Sequence, residues 1–108
     1  MGTSYDIEYL QEIAKKILRF SPVGASKIVF KAEINLEGDV ASFEYDYEDQ
    51  DGSSGWFTPD SALTQEEIFS LLKEHRTLFV SKGQNLWLEC MLSIDVSSGK
   101  ISMALKYD

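Results

Sequence analysis

Cysteine occurs once in these 108 residues, at Cys90, and histidine once, at His75. A single cysteine excludes an intrachain disulfide and fits a reducing cytoplasm better than secretion. One cysteine and one histidine cannot complete a tetrahedral zinc site. No apolar run approaches the roughly 20 residues that span a bilayer. No glycine-rich loop has the spacing of a phosphate cradle. The opening MGTSYDIEYL lacks a basic region followed by an apolar stretch, so no signal peptide is expected. Asp6 stands where a myristoylation signal has Ser or Thr.

Basic charge is also scarce. Ten Lys and Arg stand against eighteen Asp and Glu, a net charge of −8. Nucleic acid and anionic membranes are polyanions and are poor partners for such a chain. The imbalance is local. Between Lys31 and Lys73 there is no Lys or Arg, yet eleven of the acids lie there. A basic partner is the natural complement, and plain solubility is the other use of such charge.

With 44% hydrophobic residues the chain can build one core without metals or disulfides. A single domain over residues 1–108 is expected. Ile7, Leu10, Ile13, Ala14 and Ile17 recur at helical spacing, which predicts a first helix from Ser4 to Phe20, capped by Thr3 or Ser4. Asp6 and Glu8 come early and Lys15, Lys16 and Arg19 late, in the order that suits the helix dipole. Lys27 to Leu36 alternates, with Ile28, Phe30, Ala32, Ile34 and Leu36 inward. Glu37-Gly38 turns the chain into a second strand with Ala41, Phe43, Tyr45 and Tyr47 inward. Placing Leu36 opposite Asp39 sets Phe30 opposite Tyr45, Lys31 opposite Glu44 and Lys27 opposite Glu48, so both faces agree.

Glu48 to Pro59 reads as a loop carrying Trp56-Phe57 at its far end. Thr64 with Glu67 forms a capping box for a second helix, whose stripe is Ile68, Leu71, Leu72, His75, Leu78 and Phe79. Leu86, Leu88, Cys90, Leu92, Ile94 and Val96 line the inward side of a third strand. Ile101, Met103, Leu105 and Tyr107 line that of a fourth. The expected fold is α+β: two layers in the order αββαββ, with two helices on one face of a four-stranded, mostly antiparallel sheet. The other face stays open. Trp87, Glu89 and Met91 fall on it, unless the register slips or Trp87 folds under a loop.

The search for chemistry returns little. His75 sits on an apolar stripe, where a lone histidine more often packs than catalyses, and Cys90 is expected to pack as a small hydrophobe. Asp46, Glu48, Asp49 and Asp51 precede Gly52, but their spacing fails the calcium-loop pattern and its closing Glu is absent. Glu44 and Asp46 could be imagined as paired acids of a glycosidase, but cross-strand ion pairing is the simpler reading. No catalytic residue, metal or cofactor is expected, and the chain reads as a non-enzyme.

One resemblance spans nearly the whole length. Tyr9, Ile13-Ala14 and Ile17 are followed by Ser21-Pro22, then by Lys27-Ile28 and Ala32-Glu33-Ile34. Next come Phe43-Glu44-Tyr45, Gly83-Gln84 before Leu86-Trp87, Ser98-Gly99-Lys100, and Tyr107-Asp108. In order and spacing the chain resembles the YezG-like family of small bacterial immunity proteins, the antitoxins of polymorphic toxin systems. It departs from that pattern after Pro22, where Val23-Gly24-Ala25-Ser26 replaces an expected aromatic. The resemblance implies a cytoplasmic, non-enzymatic protein that binds and neutralises a cognate toxin. That toxin is often a nuclease, delivered by contact-dependent growth inhibition or a secretion system. A nuclease grips phosphates, so its cleft is basic. The expected toxin-facing residues are Glu44, Asp46, Glu48, Asp49, Asp51, Trp56, Trp87, Glu89 and Met91. The alternative is an acidic DNA mimic or adaptor that binds a basic host protein.

Overall fold

A computed structural model describes residues 7–107, in which two helices cover one face of a five-stranded antiparallel sheet. The elements are α1 (Ile7–Leu18), β1 (Ala25–Ile34), β2 (Ala41–Asp49), β3 (Ser54–Trp56), α2 (Ala62–Ser81), β4 (Trp87–Asp95) and β5 (Ile101–Tyr107). The sheet order is β3-β2-β1-β4-β5. None of the helices among the described residues is long and apolar enough to cross a membrane.

The hairpin of β1 and β2 has the expected register. Phe30 opposes Tyr45, Lys31 opposes Glu44 and Lys27 opposes Glu48. Its turn is held by Asn35, whose side-chain oxygen accepts from the amides of Gly38, Asp39 and Val40. Leu36, expected inward, lies in this turn and is 66% exposed, because the strand has already ended at Ile34.

The stretch from Glu48 to Pro59, expected to be all loop, continues β2 to Asp49 and then adds a fifth strand, β3. Asp49 closes the connection: its amide donates to the Ser53 carbonyl at 2.8 Å, and its carboxylate accepts from the amides of Asp51 and Ser53. Asp51-Gly52 is itself a hairpin signal. It was obscured by the polar residues around it and by a strand only three residues long. At Gly55 a Cβ would lie 2.9 Å from the Tyr47 hydroxyl, so a larger residue needs the Tyr47 ring to shift.

Helix α1 buries Ile13, Ala14 and Ile17 and ends at Leu18, short of the expected Phe20. Thr3, Ser4 and Asp6 lie outside the described residues. Helix α2 starts earlier than the capping box implied: Ser61, not Thr64, is its cap. Ser61 is extended, and its hydroxyl accepts from the Thr64 amide at 3.1 Å. Thr64 is itself within the first turn and buried, so it cannot adopt the extended backbone of a cap. Lys16 of α1 meets Glu67 of α2 at 3.0 Å. The core joins both helices to Ile28, Phe30, Ala32, Ile34, Tyr45, Cys90, Leu92 and Ile94. Burial pushes the Tyr45 hydroxyl up to about 12.

The buried stripe of α2 includes a residue that hydrophobic spacing does not reveal. Arg76 is 5% exposed, and among the described residues no carboxylate pairs with it. Its Nη1 donates to the carbonyls of Ile34 (3.2 Å) and Trp87 (3.0 Å), and its Nη2 to that of Asn35 (2.9 Å). One guanidinium thus ties the end of β1, the hairpin turn and the start of β4. Gly38 passes close by, with a positive φ of 80°, and a Cβ there would meet Nη2 at 3.1 Å. Burial pulls the guanidinium below its usual pKa. The planar fork lets one side chain reach carbonyls on two strands, which an ammonium does not.

Replacing Arg76 orphans these carbonyls, each worth about 1–3 kcal/mol when buried, and removes the cost of burying the cation. Arg76→Met is therefore expected to lose about 2–4 kcal/mol in urea unfolding, and Arg76→Lys to recover little of it. Wild-type stability in both variants would show that the clamp is dispensable.

Candidate protein-docking face

The helices occupy the side lined by the even-numbered residues of β1, which leaves the odd-numbered side open. Cross-strand partners share a face, so the register reads out its rows. One row runs Trp56, Asp46, Val29, Ser93 and Ser102. The next runs Glu44, Lys31, Met91 and Ala104. Glu33, Glu89 and Lys106 form a third with Ser42, and Glu48, Lys27 and Asp95 a fourth with Ser54.

Several expected site residues come together here. Glu44, Asp46 and Glu48 are all exposed on this face of β2. Their cross-strand lysines stand opposite as expected, yet no ion pair closes. The ion pairs among the described residues are Lys15–Glu12, Lys16–Glu67 and Lys106–Glu89. The acidic row of β2 is therefore not neutralised by contact. Trp56 projects beside Asp46 and is 76% exposed, while Met91 is 39% exposed near the centre. Glu89 is half-buried, and Lys106 holds its carboxylate at 3.4 Å.

Asp49 and Asp51 cap the end of the acidic row from the β2–β3 turn. Their carboxyls share a hydrogen bond that pushes Asp49 up and Asp51 down from the ordinary carboxylate range. Asp95, at the turn after β4, is held below that range, first by the Ser98 amide and then by the Ser97 hydroxyl.

Trp87 does not belong to the open face. It is fully buried, and its indole N–H donates to Nδ1 of His75 at 3.3 Å. The reason is a bulge. Trp87 opposes Tyr107 while Glu89 opposes Lys106, so Leu88 is an extra residue that inverts the strand's alternation. Leu88, expected inward, is half-buried beside the open-face residues Glu33 and Ser42. His75 packs in an aromatic cluster, stacked on Phe79 at 4.7 Å and edge-on to Tyr9 at 6.2 Å.

The sequence reading missed an apolar group at the hairpin end. Leu36 and Val40 are 66% and 63% exposed and, with Leu88, line a shallow depression of about 340 Å³. The signal was available in the connection itself: strand pairing ends at Ile34 and Ala41, and apolar residues in the turn between them are left in solvent. At the opposite end Ser26, Lys27, Glu48, Asp95 and Lys100 border a larger polar depression of about 750 Å³. Among the described residues no group of three or more His, Cys, Asp or Glu is placed to hold a metal ion.

The open face thus carries separated apolar side chains with acidic residues between and around them. Such a surface can offer an anchor, in the sense of a side chain desolvated on contact, and a rim of charge. No protein-family model matches the chain, and no match to a curated protein was found.

The two tryptophans should behave oppositely. Trp87→Ala is expected to cost about 3–5 kcal/mol, the range for deleting a buried aromatic. Trp56→Ala should leave stability within about 0.5 kcal/mol, as for a surface change. Equal losses in denaturant titration would contradict the two placements. The Cys90 thiol is buried and pushed up to about 12, so it stays protonated in mildly alkaline buffer. It should resist a thiol-specific reagent at pH 9 until the protein is unfolded; rapid labelling of the folded chain would contradict this burial.

Proposed function

We propose that the chain is a non-catalytic, cytoplasmic immunity protein that neutralises a cognate bacterial toxin by laying its open sheet face against the toxin's basic cleft. The observation that carries this reading is the acidic row Glu44, Asp46 and Glu48, standing without an ion-pair contact beside the exposed Trp56. The resemblance to the YezG-like immunity proteins supplies the class of partner, a toxin domain that is often a nuclease. Its phosphate-binding cleft is basic, opposite in sign to the acidic row of β2. Opposite fields speed encounter, up to about 10⁸–10⁹ M⁻¹s⁻¹ at low salt, which suits an inhibitor that must arrive before the toxin cuts. Residence would rest on a few desolvated side chains. Trp56 and Met91 fill that role, with Leu36 and Val40 added at the hairpin end and Trp87 withdrawn.

The partner is identified by co-purifying the chain with the product of its neighbouring gene. A tightly bound toxin domain supports the reading, and stable capture of a basic host protein instead favours a DNA mimic or adaptor. With the partner in hand, reversing Glu44, Asp46 and Glu48 to Lys should slow association and flatten its salt dependence. Trp56→Ala should chiefly speed dissociation, by roughly 30-fold if the indole is a hot spot of about 2 kcal/mol. Wild-type kinetics in both variants, each melting like the parent, would place the contact on another surface.

A further inference from the structure

β5 is the outermost strand on its side of the sheet, and among the described residues none pairs with its outer edge. Such an edge is a row of unpaired amides and carbonyls, and proteins usually blunt it with proline, a bulge or an inward-pointing charge. β3, at the other edge, is only three residues long. β5 runs for seven residues without proline and without a charge on its inward row; its one charge, Lys106, is on the open face and is engaged by Glu89, and the bulge near its end lies in β4. That row, Ile101, Met103 and Leu105, is only half-buried, so the apolar layer under the sheet is unfinished at this edge.

The sequence of β5 also complements itself. Antiparallel partners share a face, so a two-fold axis must pass through a residue position. Centred on Ala104, the axis sets Ile101 against Tyr107 of the second copy, Ser102 against Lys106, Met103 against Leu105, and Ala104 against itself. All seven residues pair, apolar meets apolar on the inward side, and no like charges meet. An axis at Met103 sets Lys100 against Lys106, and one at Leu105 leaves Ile101 and Ser102 outside the strand pairing.

The net charge of −8 would oppose association of two copies if it lay at this edge. Among the described residues, the acid paired across from β5 is Glu89, which Lys106 engages, and the acidic row sits on β2, three strands away. In a continuous sheet the two β2 rows would be seven strand spacings apart, about 34 Å at roughly 4.8 Å each. That is several times the screening length of about 8 Å in physiological salt.

We propose that β5 pairs antiparallel with β5 of a second copy about a two-fold axis at Ala104, making one ten-stranded sheet. The axis stands perpendicular to the sheet, so both helical layers lie on one side and both open faces on the other. The dimer carries two acidic patches at its far ends. This pairing is independent of what binds the open face.

Sedimentation equilibrium tests it. The wild-type chain should associate to twice 12.2 kDa. Ala104 is exposed, so Ala104→Glu and Ala104→Lys should melt like the parent. Each sets like charges against each other across the axis, and each should weaken the dimer by up to roughly fivefold, since opposed like charges cost up to about 1 kcal/mol. An equimolar mixture should form a mixed dimer tighter than either variant alone. A wild-type chain that stays at 12.2 kDa, unchanged self-association of both variants, or a mixture no tighter than its components would overturn the proposal.

Discussion

The guanidinium of Arg76 is where the two ends of this fold meet. Three segments far apart in sequence deliver carbonyls to it: the end of β1, the turn that follows, and the first residue of β4. A buried cation without a carboxylate is costly unless it is fully hydrogen-bonded. Backbone carbonyls meet that demand only if the hairpin and β4 are both in place. The side chain therefore couples the hairpin half of the sheet to the half that follows α2. Its neighbour His75 extends the coupling by accepting from Trp87, the same residue whose carbonyl Arg76 holds.

These two bonds explain the bulge in β4. A regular strand would put Leu88 in the core and turn the indole of Trp87 to solvent. Burying Trp87 removes a large aromatic surface from water, gives its N–H an acceptor and its carbonyl a donor, and leaves one extra residue to be accommodated. The bulge is the backbone's response. It also sends Leu88 towards the open face, near Leu36 and Val40. The interior demand for one tryptophan thus changes which apolar side chain the surface presents.

On that surface, charge and apolar side chains are separated by strand. β2 carries the unneutralised acids, with Trp56 beyond them on β3 and Met91 beyond the lysines of β1. In the proposed docking, this separation lets long-range attraction orient a basic partner before any desolvation occurs. The apolar side chains then decide how long it stays. The β5 edge, three strands from the β2 acids, suits a backbone-led contact in the proposed dimer.

Alternation and helical spacing determined much of the fold. They specify both helices, the β1–β2 register to the residue, the strands after α2 and the open face. The placement of Glu44, Asp46 and Glu48 follows from that register, since residues on a paired strand have nowhere else to point. The Thr64–Glu67 spacing suggested the helix start, but the extended backbone at Ser61 decided the cap. Three further features belonged to tertiary structure alone. β3 is too short for a periodic signal and exists because the Asp49 turn returns it to β2. The burial of Arg76 requires carbonyls from distant segments, which no local pattern records. The burial of Trp87 depends on an acceptor from α2, and a single added residue reverses every side chain on the far side of a bulge. Periodicity reports which residues can share a face; only packing decides where the period is broken.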